Sequence, residues 1–452
     1  MSFAVPADSP VRDNRFIWGV ATAAFQIEGA IHADGRVDSI WDTFCAEPGR
    51  VLNGDNGEPA CDHYHRWEQD LDLLSELGVD AYRFSIAWPR IMRAPGEVNE
   101  AGLAFYERLV DGLIDRGIRP VATLYHWDLP QYLEDHGGWL NRETAYEFAR
   151  YAQVVVERLG NKVTHWATLN EPLCSSFLSY EVGVHAPGYR EPAWAYQAAH
   201  HLLLAHGLAM PVMRAAAPES QHGIVLNFTP AYAADDRPET QRAVQDAEVK
   251  DVHWFIAPLM QGEYPAGWFE RFPEWRPIIM PGDMDLIRQP MDFVGVNFYT
   301  RHLVTDDGAG GVKHLPQPDA EHTHIGWEVY PEALTRTLVT LHRSYQNLPP
   351  LIITENGMAG DDHVVDGQVN DAQRVSYLER HITAVGEAMR QGVNIRGYFA
   401  WSLMDNFEWA FGYSQRFGLV YVDYETQERI VKRSGQMLKE WMKEPRLELA
   451  SA

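Results

Sequence analysis

Eight short apolar runs recur along this chain, and a helical pattern follows most of them. The runs are FIWGVATA from Phe16, DAYRFSIAW from Asp80, RPVATLYHW from Arg119, VTHWATLNE from Val163, GIVLNF from Gly223, DFVGVNFY from Asp292, LIITE from Leu351 and IRGYFAWS from Ile395. Each has the length of a strand buried on both faces. Between them, residues 102–116 put Leu103, Tyr106, Val110, Leu113 and Ile114 on one helical face. A second helix is expected from an N-cap at Asn141 to about Leu159, and a third with Pro331 in its first turn. A fourth opens at a cap near Asp371 and stops at Gly392. Strand and helix in alternation imply parallel strands joined by right-handed crossovers. Eight such units predict an α/β chain folded as one (β/α)8 TIM barrel over residues 1–452; a long doubly wound sheet is the alternative. No Gly-rich phosphate fingerprint follows a strand in the form a dinucleotide fold needs. The run DGAGG near Gly308 reads as a surface loop that follows no strand directly.

In such a barrel, chemistry collects where the strands end. The expected strand ends carry Gln26, Glu28, Trp88, His126, Trp127, Asp128, Asn170, Glu171, Asn297, Tyr299, Glu355 and Trp401. Glu355 is the sharpest of these, because an apolar strand breaks off at it and Asn-Gly follows, a common turn signal. Glu171 and Glu355 fall on the expected fourth and seventh strands, which can face one another across a small barrel. Two carboxyl groups over a cleft, with amides and indoles around them, suit cleavage of a glycosidic bond. One gives a proton to the leaving oxygen, and the other stays ionised to meet an oxocarbenium-like centre. That chemistry needs no metal and no cofactor.

Charge and composition exclude other classes. Lys and Arg total 38 against 63 Asp and Glu, a formal net charge of −25 that disfavours nucleic acid and anionic membranes as partners. Cys45, Cys61 and Cys174 are too few and too scattered for a disulfide framework. The start MSFAVPADSP lacks a basic stretch followed by an apolar run, and no segment has the length of a membrane span, so a cytoplasmic protein is expected. Much of the 15 Trp, 20 Tyr and 18 Phe must serve packing, yet indoles near polar groups also suit sugar faces.

TLNEP at 168–172 and ITENG at 353–357 resemble the acid/base and nucleophile signatures of glycoside hydrolase family 1, the retaining β-glucosidase family. FIWGVATAAFQIEGA, YRFSIAWPRI, LYHWDLPQ, VNFYT and WSLMDNFEWAFGYSQRFGL extend the likeness over nearly the whole chain, in the family's order. The resemblance implies that Glu171 is the general acid/base and Glu355 the nucleophile. It implies that Arg83, Asn297 and Tyr299 support the nucleophile, with Arg83 keeping it charged. Gln26, His126, Asn170, Trp401, Glu408 and Trp409 would hold the non-reducing sugar, Asn170 through a 2-OH. Trp327 would be the platform for the leaving group, and a cis bond is expected between Trp401 and Ser402. Relatives that cleave 6-phosphosugars carry a serine in place of Glu408 and a downstream Lys-x-Tyr pattern, where this chain has Gln415 and Phe417. A phosphate beside an ionised Glu408 would be repelled. The expected substrates are therefore unphosphorylated β-glucosides such as cellobiose or aryl β-glucosides, with β-galactosides and β-fucosides also accepted. A 6-phospho-β-glycosidase and a non-catalytic sugar-binding relative are the alternatives, the latter needing the loss of one glutamate. Transfer to an acceptor alcohol stays open.

Other residues invite weaker readings. Asp62, His63 and His65 in CDHYHRW have poor zinc spacing and read as capping and packing. His200, His201 and His206 lie on an amphipathic helix, expected half core and half surface. Phe177, Leu178 and Tyr180 either line the leaving-group entrance or pack, and Phe417 and Trp409 divide in the same way.

Overall fold

The computed structural model describes residues 1–448. Eight strands close into a barrel: β1 (Ile17–Ala21), β2 (Ala81–Ser85), β3 (Arg119–Tyr125), β4 (His165–Asn170), β5 (Gln221–Asn227), β6 (Phe293–Asn297), β7 (Leu351–Asn356) and β8 (Ile395–Trp401). All neighbours are parallel and in chain order, and β8 closes on β1 with Ile17 opposite Gly397 and Ala21 opposite Trp401. The doubly wound alternative is excluded by that closure.

Period-two alternation separates the two cores. One cluster takes Ile17, Ala21, Ala81, Val121, Ala167, Val225, Phe293, Ile352 and Phe399, at least one from every strand, and fills the barrel. The larger cluster lies between the strands and the surrounding helices. Leu103, Tyr106, Val110 and Leu113 of the helix Glu100–Asp115 enter it as expected, each buried leucine contributing about 1.5–3 kcal/mol. Ile114 does not; it is 45% exposed, because it sits roughly a quarter-turn from Leu113 on the helix.

Three helix starts differ in detail from expectation. The second helix runs Glu143–Leu159, and Asn141 Oδ1 accepts the Glu143 amide (3.0 Å) from just outside it. Pro331 directly precedes the helix Glu332–Ser344 rather than lying inside its first turn. The Asp371 carboxylate makes no cap to the helix Ala372–Arg390, because Arg374 (2.6 Å) and the Ser434 amide (2.8 Å) hold it. His200, His201 and His206, on Pro192–Ala216, are all buried rather than divided between core and surface. Each has a partner that explains its burial: Asp283 for His200 (2.8 Å), the Trp139 carbonyl for His201 (2.7 Å) and Thr168 for His206 (2.6 Å). Asp62 holds His65 (2.6 Å), and Asp70 holds His63 (2.8 Å).

Additions to the barrel matter for the site. Ala231–Ala233, His302–Asp306 and Val312–His314 form a separate three-stranded sheet. The DGAGG run is the turn between its last two strands, so it does follow a strand directly. Strands this short, inserted after β5 and β6, carry too little periodicity to read from sequence. Among the described residues, no helix is long and apolar enough to cross a membrane.

Candidate active site

Two carboxyl groups reach one cavity because two strands break register. In β7, Thr354 faces inward, its hydroxyl donating to Asn297 Oδ1 (2.6 Å). Strict alternation would then turn Glu355 outward. The pairing with β6 instead shifts between Ile353 and Glu355, setting Glu355 opposite Asn297 and on the cavity wall. In β4, pairing with β5 shifts between Ala167 and Asn170, and Glu171 follows in the left-handed region (φ 47°). Trp127 (φ 81°) and Trp409 (φ 48°), also on the wall, share that uncommon backbone state. The Gly357 that follows Glu355 and Asn356 serves a close approach: a Cβ there would come within 1.8 Å of the Trp401 carbonyl oxygen.

Glu355 is held on both oxygens. Arg83 Nη1 donates to Oε1 (2.8 Å) and the Tyr299 hydroxyl to Oε2 (2.6 Å), all of them deeply buried or half-buried. Arg83 Nη2 donates to Asn170 Oδ1 (2.7 Å), as does Asn297 Nδ2 (3.1 Å). The Asn170 amide nitrogen turns to Glu171 Oε2 (3.2 Å) and His126 Nε2 (3.1 Å). Arg83 and Asn170 thus stand behind the wall and tie the two glutamates together. Among the described residues Glu171 has no cation of its own, and burial followed by the negative charge of Glu355 pushes it up to about 8. Burial and the neighbouring charge thus favour the protonated form of Glu171, while Glu355 sits against a guanidinium.

The inner end of the cavity presents unpartnered polar atoms. Gln26 is fixed because its amide nitrogen donates to Asn406 Oδ1 (3.0 Å) and the Phe407 carbonyl (2.8 Å), which leaves Oε1 without a protein partner. With His126 Nε2 accepting, the neutral ring carries its proton on Nδ1, which is also unpartnered. Burial, then Arg83, lowers this imidazole well below its ordinary range. Glu408 Oε2 is the third such atom, and burial followed by Glu355 and Glu171 pushes Glu408 up to about 8. Trp401 and Trp409 flank His126, each ring about 6.0 Å away and near parallel. Hydroxyl-rich, flat-faced ligands satisfy such a set. The loop after β8 that carries Glu408 is anchored by charge. Lys432, fully buried, donates to Asp405 (2.7 Å) and Asp362 (2.5 Å), and Arg374 pairs with Asp362 (2.8 Å). The Trp401–Ser402 bond is cis, as expected.

The whole cavity, ≈ 580 Å³, extends outward past Tyr299 to Trp327 (ring centroids 5.3 Å) and beyond. Leu178, Phe417, Trp327 and Trp409 line it, whereas Phe177 and Tyr180 pack inside. Besides Asn170, three expected rim residues lie off the wall. Glu28 bonds Arg90 and Tyr106 (2.7 Å each), Trp88 stacks on Tyr151 (4.9 Å), and Asp128 is buried off the wall. Sequence reasoning missed His185 and Asn227, which do line the cavity. Asn227 ends β5 and the same strand-end rule would have found it; His185, beyond a nine-residue π-helix (Cys174–Val182), left no such signal.

The model of Glycosyl hydrolase family 1 matches residues 11–446. This chain belongs to that family. It is 50% identical over 427 residues to a β-glucosidase of Agrobacterium sp. (strain ATCC 21400), covering 93% of each. It is 48% identical over 448 residues to a bifunctional β-D-glucosidase/β-D-fucosidase of Bifidobacterium breve, covering 93% of this chain and 95% of the relative. The family 1 β-glucosidase of Thermotoga maritima, solved with isofagomine lactam, superposes with a TM-score of 0.92 at 45% identity, over 96% of this chain and 99% of that one. A family 1 member is a glycosidase, and its TIM barrel is the one described above.

Proposed function

We propose that this glycosidase is an exo-acting β-glucosidase that works with retention, with Glu355 as nucleophile and Glu171 as acid/base. What supports the roles is the asymmetry of the pair: Glu355 lies between Arg83 and Tyr299, while Glu171 is pushed up to about 8 in the same cavity. In the first step a Glu355 oxygen bonds the anomeric carbon, the glycosidic C–O bond breaks, and Glu171 gives its proton to the departing oxygen. In the second, Glu171 takes a proton from water, the water oxygen bonds the anomeric carbon, and the Glu355 ester bond breaks. Arg83 and Asn170 couple the two glutamates; a sugar 2-OH reaches Asn170 by exchanging with one of its present partners.

Gln26, His126, Glu408, Trp401 and Trp409 take the terminal glucosyl unit, and the closed inner end admits only a chain end. Trp327 stacks on the leaving group, so cellobiose and aryl β-glucosides both fit. The B. breve relative, named for both glucoside and fucoside cleavage, supports tolerance at the sugar's hydroxyls. With Glu408 pushed up to about 8, its repulsion of a 6-phosphate is weaker at neutral pH than an ionised carboxylate implies. Among the described wall residues Arg301 is the one Arg or Lys, and Glu328 holds it through two bonds of 3.0 Å, which leaves a 6-phosphate without a free cation there. Residues 1–452 act as one catalytic domain. The buried free thiols of Cys45, Cys61 and Cys174 suit a reducing cytoplasm.

The test assays nitrophenyl β-glucoside, its 6-phosphate and cellobiose on the parent and on Glu355→Gly. Cleavage of both glucosides by the parent, with loss in the variant, supports the reading. Preference for the 6-phosphate, or an active Glu355→Gly, overturns it.

A further inference from the structure

β7 breaks register with both of its neighbours around Glu355. Against β6 the shift falls between Ile353 and Glu355, and against β8 between Ile353 and Asn356. Of the two supports of Glu355, Arg83 lies inside the ladder of β2, whereas Tyr299 lies beyond Asn297, the last residue of β6. The phenol therefore needs another hold, and the fully buried Asn356 begins it. Asn356 Nδ2 donates to the Phe298 carbonyl (2.9 Å) and to the Tyr377 hydroxyl (3.2 Å), while Oδ1 accepts from the Tyr398 hydroxyl (2.6 Å). Aspartate in that place would set an oxygen against the Phe298 carbonyl. Tyr377, on the helix Ala372–Arg390, donates in turn to the Tyr299 carbonyl (2.9 Å). His381 lies against the Tyr377 ring, with centroids 3.8 Å apart and planes 24° from parallel.

These contacts close a ring. Glu355 is bonded to Asn356, Asn356 holds Tyr377, Tyr377 holds the Tyr299 main chain, and the Tyr299 hydroxyl returns to Glu355 Oε2 (2.6 Å). The Tyr377 hydroxyl accepts from one member and donates to the next, so each bond polarises the other. Asn356 and Tyr377 are both buried behind the cavity wall. We propose that they are positioning residues for the displacement at the anomeric carbon: they set where the Tyr299 hydroxyl meets Glu355. This deepens the β-glucosidase reading and rests on it. The register break that brings Glu355 to the cavity is then pinned by side chains where the ladder fails.

Kinetics on nitrophenyl β-glucoside are measured for the parent, Tyr377→Phe, Tyr299→Phe and the double variant, with denaturant unfolding read alongside. Tyr377→Phe is expected to lower kcat/KM about fivefold, the effect of one hydrogen bond, through kcat and with KM within about twofold. Added to Tyr299→Phe, it should cost less than about twofold more, because the hydroxyl that it positions is already gone. A purely structural residue would lower stability and multiply its loss with that of Tyr299→Phe. Tyr398→Phe, which frees Asn356 Oδ1, should repeat the non-additive pattern at smaller size, and it decides the matter if Tyr377→Phe does not fold. Unchanged kcat in Tyr377→Phe overturns the proposal, as does a full further fivefold loss in the double variant. A parent inactive on nitrophenyl β-glucoside, or an active Glu355→Gly, would instead refute the underlying activity.

Discussion

The two ends of the cavity are built by different rules. The inner end is made from strand termini of the barrel, and its polar groups are locked by partners behind the wall: Arg83 and Tyr299 on Glu355, Asn406 on Gln26, Lys432 under the Glu408 loop. The outer end is made from an inserted sheet and loops, where His302 Nδ1 has no hydrogen-bond partner among the described residues and Asp251 lies 3.5 Å away. Rigid backing at the inner end suits a transition state that tolerates little displacement, whereas the outer end has only to recognise. Substitution effects in this molecule should therefore fall steeply from inside to outside.

The largest effect tests the innermost group. Glu355→Gly should lower kcat/KM on nitrophenyl β-glucoside by about 10⁴ or more, since no covalent intermediate can form; steady-state kinetics measure it. Lys432→Met comes next and acts on stability. It takes the buried ammonium from between Asp405 and Asp362, leaving them only Arg416 (2.7 Å) and Arg374 (2.8 Å), which costs up to about 3–5 kcal/mol and is read by denaturant unfolding. A cost below ~1 kcal/mol would show that the inner loop is not anchored as described.

The third sharpens the coupling between the glutamates. Glu171 must carry its proton for the first step, and its raised pKa keeps the acid form dominant below about 8. Activity on cellobiose should therefore fall as pH rises through about 8. Replacing Glu355 by Gln removes a neighbouring negative charge, which favours ionisation, so Glu171 should titrate at lower pH than in the parent; isotope-edited infrared spectroscopy reads that carboxyl directly. An unmoved titration would break the link. The smallest effect belongs to the outer end: Trp327→Ala should raise KM for aryl β-glucosides about five- to tenfold with a smaller change in kcat, the loss of one stacking contact.

The same contrast explains what was legible. β7 and Glu355 could be read because a buried strand in a parallel barrel has a strong period and its end has a known use. Glu28, Trp88 and Asp128 met that strand-end rule equally well, yet they turn away from the cavity. Strand ends have two faces, and the face depends on bulges that the sequence does not mark. His302 and His314, on the outer wall of the cavity, belong to strands of five and three residues inserted between barrel units, so no period pointed to them.

The eightfold alternation and the identity of the two acidic side chains at the ends of β4 and β7 could be read from the sequence alone. These follow from local pattern, which each segment carries within itself. Only the tertiary structure decided that both carboxyls enter one cavity, that Arg83 faces one of them and none of the cations faces the other, and that an added sheet extends the wall. Register shifts and pairings of that kind are settled between segments far apart in the chain, where the energy of close packing and buried charge is first felt.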